Sequence, residues 1–314
     1  MKIAVLEPLG ISEEKMRLLK EPFEMQGHTF AEFEKTSDEA TLISEASDAD
    51  VLILANMPLP LSVINACDRL RYIDVAFTGI DHVPVKAAKE KGIQISNASG
   101  YSTEAVAELG VGLAIDLLRN VPKVEQRCRD QKTKEGLIGS ELKGKTVGII
   151  GLGKIGMRSV ALFHAFGCRI LATSRTVHPD VPDYIWQVNR EKLLTLSDIV
   201  ILHCPLNEST RGLIDSKALK LMKSSAYLIN LARGPVVKAG DLADALNNGI
   251  IAGAAVDVFN CEPPLPADEP LLFASNTILT PHIAFATKES MDKRAEIVFG
   301  NLRCWMEGFP INLV

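Results

Sequence analysis

Apolar residues fall along this chain in two rhythms. Short unbroken aliphatic runs, closed by polar or turn-forming residues, alternate with longer stretches in which apolar side chains return every three or four positions. The first pattern marks strands buried on both faces, and the second marks helices packed across them. Near the start, Ile3–Leu6, Asp50–Ala55, Tyr72–Phe77 and Ile93–Ser96 predict strands. Ser12 is placed to cap a helix running to about Met25, and Glu13 and Glu14 suit its positive first turn. Leu61–Cys67 and Pro84–Lys91 predict further helices, with Pro84 fitting a first turn. This alternation implies a parallel sheet covered on both faces.

Asn97–Thr103 is turn-rich and reads as a hinge between two segments. Thr103–Arg119 is then a long helix with apolar residues on more than one face, so it is either an interior helix or one that meets a second subunit. Pro122 is expected to end it, with another helix to about Asp130 and a polar approach over Lys132–Gly144. The β-branched run Thr146–Ile150 follows, and directly after it come Gly151, Gly153 and Gly156 in G-x-G-x-x-G spacing, opening a helical stretch Lys154–Phe166. Each glycine has a mechanical task there: a tight turn, room for a pyrophosphate against the backbone, and close helix–strand packing. The phosphates then meet the unpaired N–H groups at the helix start. Such a motif between a buried strand and a helix predicts dinucleotide binding through Gly151, Leu152, Gly153, Lys154, Ile155 and Gly156. Further on, Arg169–Thr173, Ile199–His203, Ala226–Leu231 and Ala252–Val258 predict strands, with helices near Arg190–Leu196, Ser216–Met222 and Gly240–Asn247. Pro281–Phe285 is a predicted loop and Lys288–Glu307 a closing helix.

Composition narrows the class without changing this layout. At 314 residues the chain is long enough for two ordinary domains, and 47% apolar with 23% charged residues is the balance of a globular protein. A net charge of −5, with scattered Lys and Arg, argues against a nucleic-acid surface. The opening M-K-I-A-V-L-E-P is a first strand rather than a signal peptide, and no apolar run reaches membrane length. The 6 cysteines include no C-x-x-C pair, so they read as reduced thiols, with no disulfide and no metal site, in a soluble cytoplasmic protein.

Three residues carry candidate chemistry: Arg233 in N-L-A-R-G-P, Glu262 in N-C-E-P-P and His282 in T-P-H-I-A. A histidine gives or takes a proton near neutral pH, a carboxylate beside it fixes its tautomer and favours the protonated form, and an Arg fork suits a substrate carboxylate. Singly, each has a plainer reading: a surface ion pair, a cap on the Pro-rich turn, a buried hydrogen-bonded histidine. Together, and downstream of a dinucleotide motif, they point to a proton-coupled reaction on a small acid.

The chain resembles the D-isomer-specific 2-hydroxyacid dehydrogenases along essentially its whole length. The resemblance rests on A-F-T-G-I-D-H near 76–82, Y-S-T-E-A-V-A-E at 101–108, G-L-G-K-I-G at 151–156, H-C-P-L-N-E-S-T-R-G-L-I at 203–214, N-L-A-R-G-P-V-V at 230–237, A-A-V-D-V-F-N-C-E-P-P at 254–264 and L-T-P-H-I-A at 279–284. It implies an α/β fold of two Rossmann-like, doubly wound domains: a flavodoxin-like substrate domain over 1–99 and 287–314, and an inserted NAD(P)-binding Rossmann domain over 100–286. It also implies a homodimer with Thr103–Arg119 in the interface. By the same likeness Arg233 grips the substrate, His282 is the general acid–base and Glu262 its partner. Thr78 and Gly79 hold the substrate carboxylate through backbone N–H groups. Thr103 lies near the cofactor phosphates, Asp257 holds the nicotinamide carboxamide, and His203, Cys204 and Pro205 line the adenosine half, with Leu231 and Ala232 also on the cofactor side. The formate dehydrogenase branch has Gln at the Glu262 position, so glutamate implies a 2-keto acid reductase.

One position departs from the NAD pattern. NAD enzymes present an acid about twenty residues past the glycines for the ribose 2′-hydroxyl. This chain offers Ser174, Arg175 and Thr176, so NADP(H) is expected ahead of NAD(H), unless Arg175 stacks on adenine and either cofactor serves. Glyoxylate or hydroxypyruvate is the expected substrate, with D-lactate and larger aliphatic or aromatic 2-keto acids as the alternative; pocket size would depend on Asn56, Met57, Phe77, Ile80 and Phe285. A nucleotide-sensing corepressor or scaffold is the competing class. It would want exposed tails or peptide grooves, and the chain ends within a few residues of its last helix.

Overall fold

A computed structural model describes residues 1–176 and 179–314. The chain divides into two compact units, Met1–Ser102 with Ala286–Val314, and Thr103–Phe285.

The first unit is built on strands β1 (Lys2–Val5), β2 (Thr29–Glu32), β3 (Val51–Leu54), β4 (Tyr72–Val75) and β5 (Gln94–Asn97), all parallel, in the order β2-β1-β3-β4-β5. That is the flavodoxin-like order, with its crevice where β1 and β3 lie side by side. The central strands β3 and β4 are buried at every position, β3 as its unbroken apolar run requires and β4 with Asp74 enclosed among apolar neighbours. Ser12 caps the helix Glu13–Glu24 by accepting from the Lys15 N–H at 3.2 Å. Asp38 does the same for the helix Glu39–Ala46. The closing helix Lys288–Met306 starts with a reciprocal Thr287–Ser290 capping box and buries Ala295, Val298, Phe299 and Leu302. Phe299 meets Phe23 and Phe30 with ring centres 5.9 Å apart in each case, which ties the closing helix to the first helix and β2.

The second unit carries β6 (Thr146–Ile150), β7 (Arg169–Thr173), β8 (Ile185–Gln187), β9 (Ile199–Leu202), β10 (Tyr227–Asn230), β11 (Gly253–Val256) and β12 (Thr277–Leu279). All pair in parallel in the order β12-β11-β10-β9-β6-β7-β8. This is the doubly wound dinucleotide-binding order with one strand added beyond β11, and the direction of winding reverses between β6 and β9. The helix Thr103–Arg119 buries Ala105, Val106, Gly110, Leu113, Ala114 and Leu117, packing on the helix Lys154–Ala165 and under β10 and β11. Pro122 does not end it. The break is at Asn120, whose φ of 53° turns the chain, and Pro122 sits in the first turn of the next helix, Val121–Arg129. All six cysteines are free; Cys67, Cys168 and Cys204 are buried, whereas Cys128 and Cys261 are exposed.

Candidate active site

In the second unit the polar residues singled out in the sequence follow strand ends on the carboxyl side of the sheet, where parallel sheets bind ligands. β6 runs into Gly151 at φ 104°, and a side chain there would strike the backbone of His203 and Cys204 at 2.7 Å. Gly156 packs so closely that a Cβ would lie 1.9 Å from the Gly151 carbonyl oxygen. A Cβ on Gly153, by contrast, would meet nothing within 4 Å. Gly153 is also the residue before the helix Lys154–Ala165, and no side chain caps that helix. The glycine turn therefore has a tight side against the sheet and an open side facing uncapped N–H groups, which fits an anionic pyrophosphate.

A cavity of about 860 Å³ opens at the β6–β9 reversal. It brings together Gly151, Leu152, Gly153, Ser174, Arg175, Thr176, His203, Cys204 and Pro205. Lys154, Ile155 and Gly156 continue from it into the helix, while Leu231, Ala232, Arg233, Asp257 and His282 follow the neighbouring strands β10 to β12 and do not line it. Thr103 opens the helix Thr103–Arg119, also outside the cavity lining. Asn189, Arg190, Glu191, Asn207, Ser209 and Thr210 line the cavity as well, and sequence reading did not select them. Asn189 comes just after the short strand β8, and Arg190 and Glu191 open the next helix. Glu191 matters most, since it adds a carboxylate to a lining expected to hold none, alongside a second guanidinium from Arg190. The Ser174 hydroxyl donates to the Thr176 carbonyl at 2.5 Å, which shapes the turn after β7. The His203 ring shares a hydrogen bond with the Ser159 hydroxyl at 2.9 Å, and burial pushes its pKa down to about 4, so it lines the crevice as a neutral imidazole.

The His282–Glu262 pair forms within the same unit. His282 Nδ1 lies 2.9 Å from each oxygen of Glu262. A carboxylate only accepts, so Nδ1 carries the hydrogen in this pair. His282 stands at φ 57°, a conformation non-glycine residues rarely hold, and its own N–H donates to the Asp257 carbonyl at 2.8 Å. The fully buried Asp257 carboxylate fixes the rest of this turn. It accepts from the Thr280 hydroxyl at 2.6 Å, the Ile283 N–H at 2.8 Å and the Ala284 N–H at 2.9 Å. These three bonds let the carboxylate hold the His282 turn. Arg233 is set by Asn230, which accepts from the Ala232 N–H and donates to the Arg233 carbonyl, both at 3.1 Å.

In the first unit Thr78 and Gly79 follow β4, and the Asn97 side chain donates to the Thr78 carbonyl at 2.7 Å. Met57 and Phe77, expected to shape a pocket, are 1% and 4% exposed, so their side chains serve packing more than an open wall. Asn56, Ile80 and Phe285 are half-buried. Among the described residues no cluster of His, Cys, Asp and Glu could hold a metal ion, and no helix is long and apolar enough to cross a membrane.

These features define a two-unit α/β oxidoreductase with a dinucleotide crevice. The model of the D-isomer specific 2-hydroxyacid dehydrogenase NAD-binding domain matches residues 111–284. The chain is 35% identical over 294 residues to a hydroxypyruvate reductase of Blautia hydrogenotrophica, covering 90% of each chain. It is 36% identical over 307 residues to a glyoxylate reductase of Thermofilum pendens, covering 95% of this chain and 90% of the relative. Among solved structures, an acyclic imino acid reductase in complex with NADPH and D-Arg superposes with a TM-score of 0.91 over 100% of both chains at 27% identity. The chain belongs to the D-isomer-specific 2-hydroxyacid dehydrogenase family, and it is a nicotinamide-dependent oxidoreductase.

Proposed function

We propose that this protein reduces a small 2-keto acid to the D-2-hydroxy acid with NADPH, glyoxylate and hydroxypyruvate being the first substrates to try. The observation that carries the reading is the His282–Glu262 pair, both carboxylate oxygens 2.9 Å from Nδ1, in a chain whose relatives are glyoxylate and hydroxypyruvate reductases. A reduced nicotinamide, when bound, supplies hydride chemistry; the remaining work falls to the chain. Arg233 takes the substrate carboxylate, which orients the keto carbon. His282 gives the proton on Nε2 to the keto oxygen as negative charge develops there. Glu262 holds Nδ1–H and offsets the charge of the imidazolium before the proton leaves. Glutamate in this place suits a reaction that needs a proton.

The preference for NADPH follows from Arg175 with Ser174 and Thr176 after β7, and Arg190 on the same cavity strengthens it. Glu191 opposes it, so the ratio of kcat/KM with NADPH to that with NADH decides; a clear NADH preference would sink the idea. We also assign the helix Thr103–Arg119 to a homodimer interface and the protein to the cytoplasm, in keeping with its free cysteines. A monomeric mass by light scattering at micromolar concentration would remove the dimer. A panel of keto acids with both reduced cofactors tests the central reading, which fails if none is reduced.

A further inference from the structure

We infer that Glu7 and Lys35 are a positioning pair that sets the 55–57 segment of the first unit, and through it the side-chain length of 2-keto acid the enzyme accepts; this rests on the reductase reading above. Glu7 directly follows β1, Lys35 comes soon after β2, and residues 55–57 directly follow β3. They therefore meet at the carboxyl-end crevice of a sheet ordered β2-β1-β3-β4-β5, the place where such a sheet binds ligands.

The carboxylate of Glu7 is 4% exposed. Its Oε1 accepts from the Ala55 N–H at 2.6 Å and from the Met57 N–H at 2.8 Å. Lys35 Nζ is 3.8 Å from the other oxygen, Oε2, and donates to the Asn56 Oδ1 at 3.1 Å. One carboxylate and one ammonium thus grip three successive residues, two by the backbone and one by the side chain. Burying a carboxylate is costly unless it is hydrogen-bonded, and a plain strand end would be better served by an apolar residue. The acid satisfies these two N–H groups, and its charge also supports the buried Arg294 guanidinium. Met57 is turned inward, at 1% exposed, so Asn56 is the side chain the segment presents outward. An ammonium only donates, so Lys35 also fixes the amide rotation of Asn56, with its carbonyl toward Lys35. A rigid Asn56 gives the crevice a fixed wall, and a fixed wall discriminates by length where a loose one does not.

The test uses the full-length enzyme, NADPH and a homologous series of unbranched 2-keto acids. Glu7→Ala orphans two buried donors and is expected to raise the keto-acid KM about tenfold and flatten the dependence of kcat/KM on chain length, with kcat and the NADPH KM little changed. Glu7→Gln keeps an acceptor oxygen and is expected to restore most of the KM. Lys35→Met, an exposed substitution, is expected to shift the ratio of kcat/KM between the shortest and longest substrates about fivefold. A Glu7→Ala chain that loses thermal stability but keeps wild-type KM and chain-length preference overturns the proposal. So does a Lys35→Met chain with unaltered selectivity, whether or not Glu7→Ala folds. A wild-type enzyme inert with every keto acid defeats the reductase reading itself, before any variant is compared, and removes this inference with it.

Discussion

The ring of His282 is held from both sides of its own backbone. Its N–H is tied to the Asp257 carbonyl, and its Nδ1 faces Glu262; in the proposed reaction the proton on Nε2 is the one transferred. His282→Ala should lower kcat by about 10²–10⁴-fold while leaving the dissociation constant for NADPH, measured by fluorescence titration, close to wild type. A variant that keeps ordinary turnover would show that another group supplies the proton. Gly156 offers the opposite kind of test. Alanine there puts a Cβ where the Gly151 carbonyl already is, so Gly156→Ala should cost about 1–3 kcal/mol in folding and weaken NADPH binding, because the turn itself must shift. Of the residues around the crevice, those next to the glycines or at the ends of strong apolar strands were legible in the sequence. Asn189, Arg190 and Glu191 were not, because the strand that delivers them, I-W-Q, is too short to show a pattern.

Among the elements, the closing helix Lys288–Met306 is locked to β4 and β5 by polar groups rather than by apolar packing alone. Asn301, fully buried, donates to Asp74 Oδ1 and to the Asn97 carbonyl, both at 3.1 Å, and accepts from Asn312 at 2.7 Å. Burial pushes the Asp74 carboxyl up from 3.8 to about 8, against the lowering effect of its hydrogen bond from Asn301. The folded chain therefore keeps a proton that the unfolded chain loses above about pH 4, so stability falls as pH rises through this window and levels off above about 8. Asp74→Asn should remove that slope and melt several degrees higher than wild type at pH 9, a difference of about 1–3 kcal/mol. Equal melting temperatures at pH 9 would mean the carboxyl is ionised at little cost. No sequence pattern announces such a group, since nothing in Y-I-D-V shows that Asp74 is fully buried until Asn301 is brought to it. The same limit explains the missed β2 and β12. β2 is a half-exposed edge strand and β12 has no fully buried residue, so neither carries the unbroken apolar run that exposed β3 and β9 to view. The break at Asn120 was misplaced onto Pro122 for a related reason. Proline is a strong local signal, whereas a left-handed asparagine has none until its φ is seen.

At the scale of the whole molecule, the chain passes between its two units near Ser102–Thr103 and again near Phe285–Ala286, and each unit has its own parallel sheet. A ligand that binds one unit stabilises that unit by mass action, whatever it does to the other. The dinucleotide cavity is lined only by residues of the second unit, so NADPH should raise the melting transition of Thr103–Phe285. At a hundredfold excess over its dissociation constant the gain is about 2.7 kcal/mol. Differential scanning calorimetry of the full chain, with and without NADPH, should show that upward shift. In Gly156→Ala the shift should shrink, because the phosphate turn is distorted, whereas in His282→Ala it should persist, because the proposed role of that side chain is proton transfer and it does not line the cavity. Loss of the NADPH shift in His282→Ala would mean that the His282 turn supports cofactor binding as well as proton transfer. Retention of the full shift in Gly156→Ala would mean that the dinucleotide does not depend on the glycine turn at the end of β6.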